Sequence, residues 1–121
     1  MSLVTKFQWL PNTTAVDGSL LTAAQLAALT YTIIVDTVSP PGPSAVSYSV
    51  PPGKVTSVPL GSSTGLQVNF ADLTPPFVPV EGTTYFAEIT ETDSAGTSSP
   101  SSIVSFTNVA VPGAPLDFGV A

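Results

Sequence analysis

Proline and glycine interrupt this sequence so often that no long helix fits between them. The 121 residues include thirteen prolines and nine glycines. Clusters of them at 40–43 and 51–53 separate short runs of β-branched and aromatic residues. Proline cannot donate a backbone hydrogen bond and glycine permits tight turns, so both favour chain reversals over helix interiors. Short runs between turn signals are typical of an all-β protein.

Six of these runs alternate between apolar and polar residues, as strands with one buried face do. They occupy residues 3–10, 29–38, 44–50, 65–73, 83–92 and 101–107, whereas residues 54–60 are ambiguous. The runs predict a structural core that contains Trp9, Tyr31, Ile33, Val68, Phe70, Leu73, Tyr85 and Ile89. We therefore predict a two-sheet antiparallel β-sandwich that forms one domain over residues 1–108.

One segment has the composition of a helix rather than a strand. Residues 22–29 are rich in alanine and leucine. Thr22 and Gln25 fit a capping box, in which each side chain satisfies the backbone N–H of the other residue. We predict about two helical turns in the loop between the first two strands. Because so short a helix is unstable alone, we expect Leu26 and Leu29 to pack on an end of the sandwich.

Several of these motifs, taken in order, resemble a fibronectin type III domain. Trp9, at the end of an alternating run, is similar to the core tryptophan of the family's second strand. Leu73, Gly82 and Tyr85 resemble the family's tyrosine corner, although residues 74–81 make this segment longer than usual. The resemblance implies an immunoglobulin-like sandwich in which the Tyr85 hydroxyl bonds to an upstream backbone group.

The resemblance covers residues 3–107 and lacks the family's first strand, because residue 3 already opens a run that is similar to the second strand. Within the proline-rich closing segment 109–121, residues 111–120 resemble the missing strand and its lead-in. In this segment Leu116, Phe118 and Val120 alternate with Asp117 and Gly119, so these three residues form a candidate interaction arm. The segment either folds back as a permuted first strand or crosses to a neighbouring molecule.

The charge balance excludes two classes of partner. Lys6 and Lys54 are the only basic residues against eight carboxylates, which gives a net charge of −6. Binding to nucleic acid or to an anionic membrane requires several cations, so we expect neither partner. Charged residues make up only 8% of the chain, so little repulsion opposes contact with other proteins. The sequence also shows neither a secretory signal nor an apolar run of the ~20 residues that a membrane helix needs.

The sequence lacks the side chains that common enzymatic chemistry uses. Without histidine or cysteine, it has neither the usual base for a serine nucleophile nor the usual zinc ligands. Glu88 with Glu91 or Asp93 is the remaining candidate for an acid–base pair. Asp17 or Asp93 is the remaining candidate for a calcium ligand. We interpret all of them as solvated surface residues, and we expect no enzymatic activity, no metal and no cofactor.

A glycan platform would need exposed aromatic residues. Trp9 is better explained as core. Tyr48 is the aromatic that an edge strand could expose, but one aromatic is a weak basis for a ligand site. We therefore expect a structural or adhesive module that contacts proteins, either copies of itself or a capsid or tail protein. The expected setting is a phage virion assembled in the host cytoplasm, with the chain as a capsid decoration or tail accessory protein. The alternative is a carbohydrate- or ligand-binding accessory domain of a secreted bacterial protein, with weak glycan binding at the cell surface.

Overall fold

Strands make up most of the regular structure. The computed structural model describes residues 4–15, 17–93, 95–98, 100–108, 115–117 and 119–121. Its strands are β1 (Lys6–Trp9), β2 (Thr30–Asp36), β3 (Val46–Val50), β4 (Thr56–Leu60), β5 (Ser63–Asn69), β6 (Thr84–Asp93), β7 (Gly96–Thr97) and β8 (Val104–Thr107). The helices in the described residues are α1 (Ala23–Ala27) and two 3₁₀ turns, Pro52–Lys54 and Phe70–Asp72.

The strands form two antiparallel sheets, which confirms the prediction of an all-β sandwich. In the first sheet β5 lies between β1 and β4. In the second, β2 pairs with β3 and β6, and both β7 and β8 pair with β6. The ambiguous run 54–60 contains β4, which forms a hairpin with β5. Gly61 in this hairpin turn has a φ of +62°, a conformation that favours glycine.

Alternate residues of the two sheets face each other and form the core. Along β1 the side chain of Phe7 is buried and that of Gln8 is exposed, as the alternation predicts. The predicted core residues that lie in the interior are Trp9, Tyr31, Ile33, Val68, Phe70, Leu73 and Tyr85. Ile89 is only partly buried and packs against this core. β2 flanks Ile89 on one side, but on the other side β8 pairs with β6 only up to Ala87 and β7 pairs with it only from Thr92, so no regular strand flanks Ile89 there.

The segment that precedes β6 closes one end of the sandwich. It carries Phe77, which is buried although it belongs to no alternating run. The ring centroid of Phe77 lies 4.9 Å from that of Phe70 and 5.2 Å from that of Tyr85, both edge to face. Such pairs stabilise a core beyond the apolar area that they bury. The Tyr85 hydroxyl accepts the Val80 N–H at 2.8 Å, so the expected bond to an upstream backbone group is present.

The predicted helix forms between β1 and β2 as the single short helix α1. The Thr22 hydroxyl accepts the Gln25 N–H at 3.2 Å, and the Gln25 side-chain oxygen accepts the Thr22 N–H at 2.8 Å, which confirms the capping box. Leu29 packs against the core as expected, whereas Leu26 is more exposed. Within the described ranges, no helix has the length and apolar character needed to cross a membrane.

Candidate functional site

β1 borders its sheet, and within the described residues only β5 pairs with it. The Phe70 N–H donates to the Thr5 carbonyl at 2.9 Å, so Thr5 occupies a hydrogen-bonded position of this ladder. In an antiparallel pair such positions alternate with positions whose N–H and C=O point away from the partner strand. Lys6 and Gln8 therefore direct their backbone groups outward, whereas the residues that alternate with them bond to β5.

Asn108 satisfies this outer edge just before β1 begins. Its side-chain oxygen accepts the Val4 N–H at 3.0 Å, and its side-chain NH₂ group donates to the Val4 carbonyl at 2.8 Å. Asn108 is buried and directly follows β8, so it holds the end of the second sheet beside the start of β1. One amide side chain thus takes the place of a neighbouring strand at Val4, and the edge continues beyond it at Lys6 and Gln8.

Two other sheet edges of the described part of the chain, those of β4 and β3, are obstructed. β4 carries Pro59 within the strand, and proline has no N–H to offer an added strand. β3 is covered by Thr74, which exchanges two backbone hydrogen bonds with Ser49, at 2.9 and 3.0 Å. In the described residues β8 pairs only with β6, so its outer edge also lacks a strand partner, and β7 is only two residues long. An added strand can therefore extend the outer edge of β1 or that of β8, and at β1 Asn108 fixes where the open part of the edge begins.

The predicted interaction arm is exposed where the structure describes it. Leu116 is 89% exposed and Val120 is 102% exposed. Residues 115–117 and 119–121 belong to no strand. Phe118, the third residue of the predicted arm, and residues 109–114 lie outside the described residues. Within one chain, the described arm residues do not pair with the edge of β1.

The loops at one end of the sandwich enclose an open cleft of about 670 Å³. Its lining combines three carboxylates with two leucines, namely Asp17, Glu91, Asp93, Leu21 and Leu29. Each carboxylate accepts a backbone N–H from the surrounding loops, as Glu91 does from Asn12. Hydrogen bonds from the Ser19 hydroxyl, at 2.6 Å, and from the Ser19 N–H lower the pKa of Asp17. The carboxylates thus order these loops and give the cleft a negative rim.

The candidate acid–base pair is split between the two faces of β6. Glu88 lies opposite Ile34 of β2, and Glu91 lies opposite Tyr31. Side chains three residues apart on a strand point to opposite faces, so Glu88 and Glu91 do not converge on one substrate. Asp93 shares the face of Glu91 and borders the cleft. Among the residues that the structure describes, no group of three or more His, Cys, Asp or Glu side chains could hold a metal ion.

Neither candidate aromatic offers a flat surface to a sugar ring. Trp9 is 8% exposed and its ring centroid lies 5.0 Å from that of Tyr31. Tyr48 does lie on a strand at the edge of its sheet, β3, but it is only 9% exposed, so the expected exposure is wrong. The reason is that Phe77, in the segment before β6, packs against the ring of Tyr48, with the two ring centroids 5.4 Å apart. Strand alternation cannot reveal this contact.

Asn108 could not be identified from the sequence, because its partner Val4 is 104 positions away. An asparagine after a strand is usually a turn signal, so no local pattern indicates that its side chain bonds to an edge. Comparison with family models, with curated proteins and with solved structures finds no match for this chain.

Proposed function

We propose that this chain is a structural protein–protein interaction module, and that it contacts other proteins through the outer edge of β1. The observation that carries this proposal is the outward-facing backbone of Lys6 and Gln8, for which the described residues provide no strand partner. Unpaired edges recruit strands from other chains. Backbone pairing does not depend on charged side chains, which suits a chain with only two basic residues.

The setting that we propose is a phage particle, with the chain as a fibronectin type III-like capsid decoration or tail accessory protein. Two features support this setting. The motifs around Trp9 and Tyr85 resemble that family in sequence, and the Tyr85 hydroxyl bonds to an upstream backbone group as the resemblance implies. In addition, charged residues make up 8% of the chain, so neighbouring copies in a dense assembly repel each other little.

The test compares phage particles produced with the wild-type chain, with Gln8→Pro and with Gln8→Ala, and quantifies the chain in purified particles by mass spectrometry. Proline at Gln8 removes an outward N–H and leaves the bonds to β5 in place. Alanine removes the same side chain and keeps the N–H, so it is the matched control. We expect wild-type and Gln8→Ala chains in the particles and about tenfold less Gln8→Pro chain, which corresponds to a loss of about 1.4 kcal/mol in binding.

Two results would contradict the proposal, and they contradict different parts of it. If the wild-type chain is absent from the particles, the virion setting is wrong. If Gln8→Pro enters the particles as well as Gln8→Ala does, the outer edge of β1 is not the contact surface.

The cleft at the loop end favours a second candidate function, the binding of a small polar ligand such as a glycan. Carboxylate oxygens beside apolar side chains are a common way to hold sugar hydroxyls and ring faces. Calorimetry with a panel of soluble glycans tests this function. Binding that Glu91→Gln abolishes and Glu88→Gln preserves would support it, because Glu91 lines the cleft and Glu88 does not. If no glycan binds, or if both variants bind equally, this second candidate is wrong.

A further inference from the structure

We infer that the outer edge of β1 accepts the closing segment of a second copy of this chain as an added strand. The added strand would contain Leu116, Asp117 and Val120. This inference rests on the proposed function and names its partner. It follows from three observations: the state of the β1 edge, the exposure of the closing residues, and the chemical match between the two.

The edge offers a short ladder with a defined start. Asn108 closes the edge at Val4 with two side-chain bonds, and the outward groups of Lys6 and Gln8 follow. An added strand thus has backbone donors and acceptors to pair with at both residues. Position 6 is a lysine and not a proline. A single charge prevents the pairing of an added strand less completely than a missing N–H does.

The closing residues of the same chain do not occupy this edge where the structure describes them. Leu116 and Val120 have a larger exposed fraction than any other large apolar residue among the described positions. Removing two such aliphatic side chains from water by packing them against another surface is favourable. A second chain can approach the edge in either direction, free of the connection that ties this segment to Asn108.

The alternation of the closing segment matches the two faces of β1. On β1 the side chains of Phe7 and Trp9 face the core, and that of Lys6 faces solvent. Asp117 has a φ of +54° in one chain, so the segment has to become extended when it pairs. An extended strand beside β1 with Leu116 and Val120 on the core side places Asp117 on the same face as Lys6. Lys6 is one of the two cations in the chain, so an acidic residue at this position gains an opposite charge that few other surfaces of the molecule offer.

The experiment uses two full-length variants that each lose one half of the contact. Gln8→Pro blocks the edge and keeps the closing segment, whereas the double variant Leu116→Asp/Val120→Asp keeps the edge and disables the segment. The control double variant Leu20→Asp/Val78→Asp adds the same two charges at other exposed apolar positions. Molar mass is measured by light scattering over a concentration series, and circular dichroism shows whether each variant is folded.

For the wild-type chain and the control variant, we expect the molar mass to rise with concentration from the 12.3 kDa of one chain to a multiple of it. Each blocked variant alone should remain at the mass of one chain. An equimolar mixture of the two should form a complex of two chains, because one supplies the segment and the other the edge. A wild-type chain that stays monomeric, a blocked variant that still associates alone, or a mixture that does not form the complex would each overturn the inference.

A cross-link provides a second measurement that does not depend on the folding of Gln8→Pro. The chain contains no cysteine, so Gln8→Cys/Asp117→Cys introduces only two thiols, one on the edge and one on the closing segment. Oxidation should give disulfide-linked dimers on a non-reducing gel. A disulfide within one chain would show that the segment folds back, and the inference would be wrong. If the wild-type chain is monomeric in isolation yet enters particles, the inference fails while the proposed function stands.

Discussion

The side-chain amide of Asn108 brackets the backbone of Val4, accepting its N–H at 3.0 Å and donating to its carbonyl at 2.8 Å. This contact joins two positions separated by 104 residues and links the end of β8 to the chain just before β1. It therefore fastens the two sheets together at the point where the outer edge of β1 begins.

Replacement of Asn108 by alanine should lower the free energy of unfolding by about 2 kcal/mol, because two hydrogen bonds of about 1 kcal/mol each are lost. Asn69→Ala is the control, since Asn69 is exposed and its side chain makes one bond, to Asp72 at 3.1 Å. For this control we expect a change below about 0.5 kcal/mol. Urea denaturation measures both values, and equal effects of the two variants would contradict the role assigned to Asn108.

Replacement of Tyr85 by phenylalanine should cost about 1–2 kcal/mol, because the Val80 N–H loses its acceptor in a partly buried position. Tyr48→Phe is the matched control in the same aromatic cluster, since the described residues show no hydrogen bond to the Tyr48 hydroxyl. Denaturant midpoints of the two variants provide the comparison. A midpoint for Tyr85→Phe that equals that of the wild-type chain would show that the bond does not stabilise the fold.

The sequence predicts the parts of this fold that depend on local patterns. Alternation locates the strands and buried residues such as Ile33 and Val68, and the capping box at Thr22 locates the helix. Features that depend on contacts between distant segments are not predictable in this way. Phe77 lies outside every alternating run, and it is buried only because the segment before β6 folds over the end of both sheets.

The candidate site shows the same division. Alternation in polarity around Leu116 predicts an interaction arm, and the structure shows that this residue is exposed. The open edge has no pattern of its own in the sequence, because it depends on which strands pair in the folded chain. No local sequence pattern identifies Asn108, the residue that closes the edge at Val4, because its function depends on the position of Val4 in the folded chain.

Gly65 lies so close to β1 that no larger residue fits. A Cβ atom at this position would lie 2.8 Å from the Trp9 carbonyl oxygen, a backbone atom held by the sheet. Gly65→Ala should therefore destabilise the fold by about 1–3 kcal/mol. Gly53→Ala is the control, because a Cβ there meets no atom within 4 Å, and we expect it to be neutral. Thermal unfolding of both variants tests this close approach, and a neutral Gly65→Ala would contradict it.

Asp36 should make stability depend on acid pH. Its buried carboxylate accepts the Gly42 N–H at 2.9 Å and the Thr37 N–H at 2.7 Å. These bonds hold the pKa of Asp36 below its ordinary value of 3.8, and the bond from Gly42 has the largest effect. A carboxyl with a lowered pKa in the folded state stabilises the fold above its unfolded pKa, and this contribution is lost as pH falls through the folded pKa.

The variant Asp36→Asn isolates this contribution. We expect it to be less stable than the wild-type chain at pH 7, with a difference that shrinks as the pH is lowered below 3.8. Urea denaturation at a series of pH values measures the difference. A constant difference over this range would mean that the charge of Asp36 does not stabilise the turn between β2 and β3.

We propose that the outer edge of β1 is open in one chain and paired in the assembly. Amide hydrogen exchange of Lys6, Phe7, Gln8 and Trp9, followed by NMR, distinguishes these two states of the edge. In a dilute sample Phe7 and Trp9 should exchange slowly, because their N–H groups bond to β5, whereas Lys6 and Gln8 should exchange fast. In the concentrated, associated sample Lys6 and Gln8 should become protected as well. Fast exchange of Lys6 and Gln8 in the associated sample, or protection already in the dilute monomer, would contradict the claim.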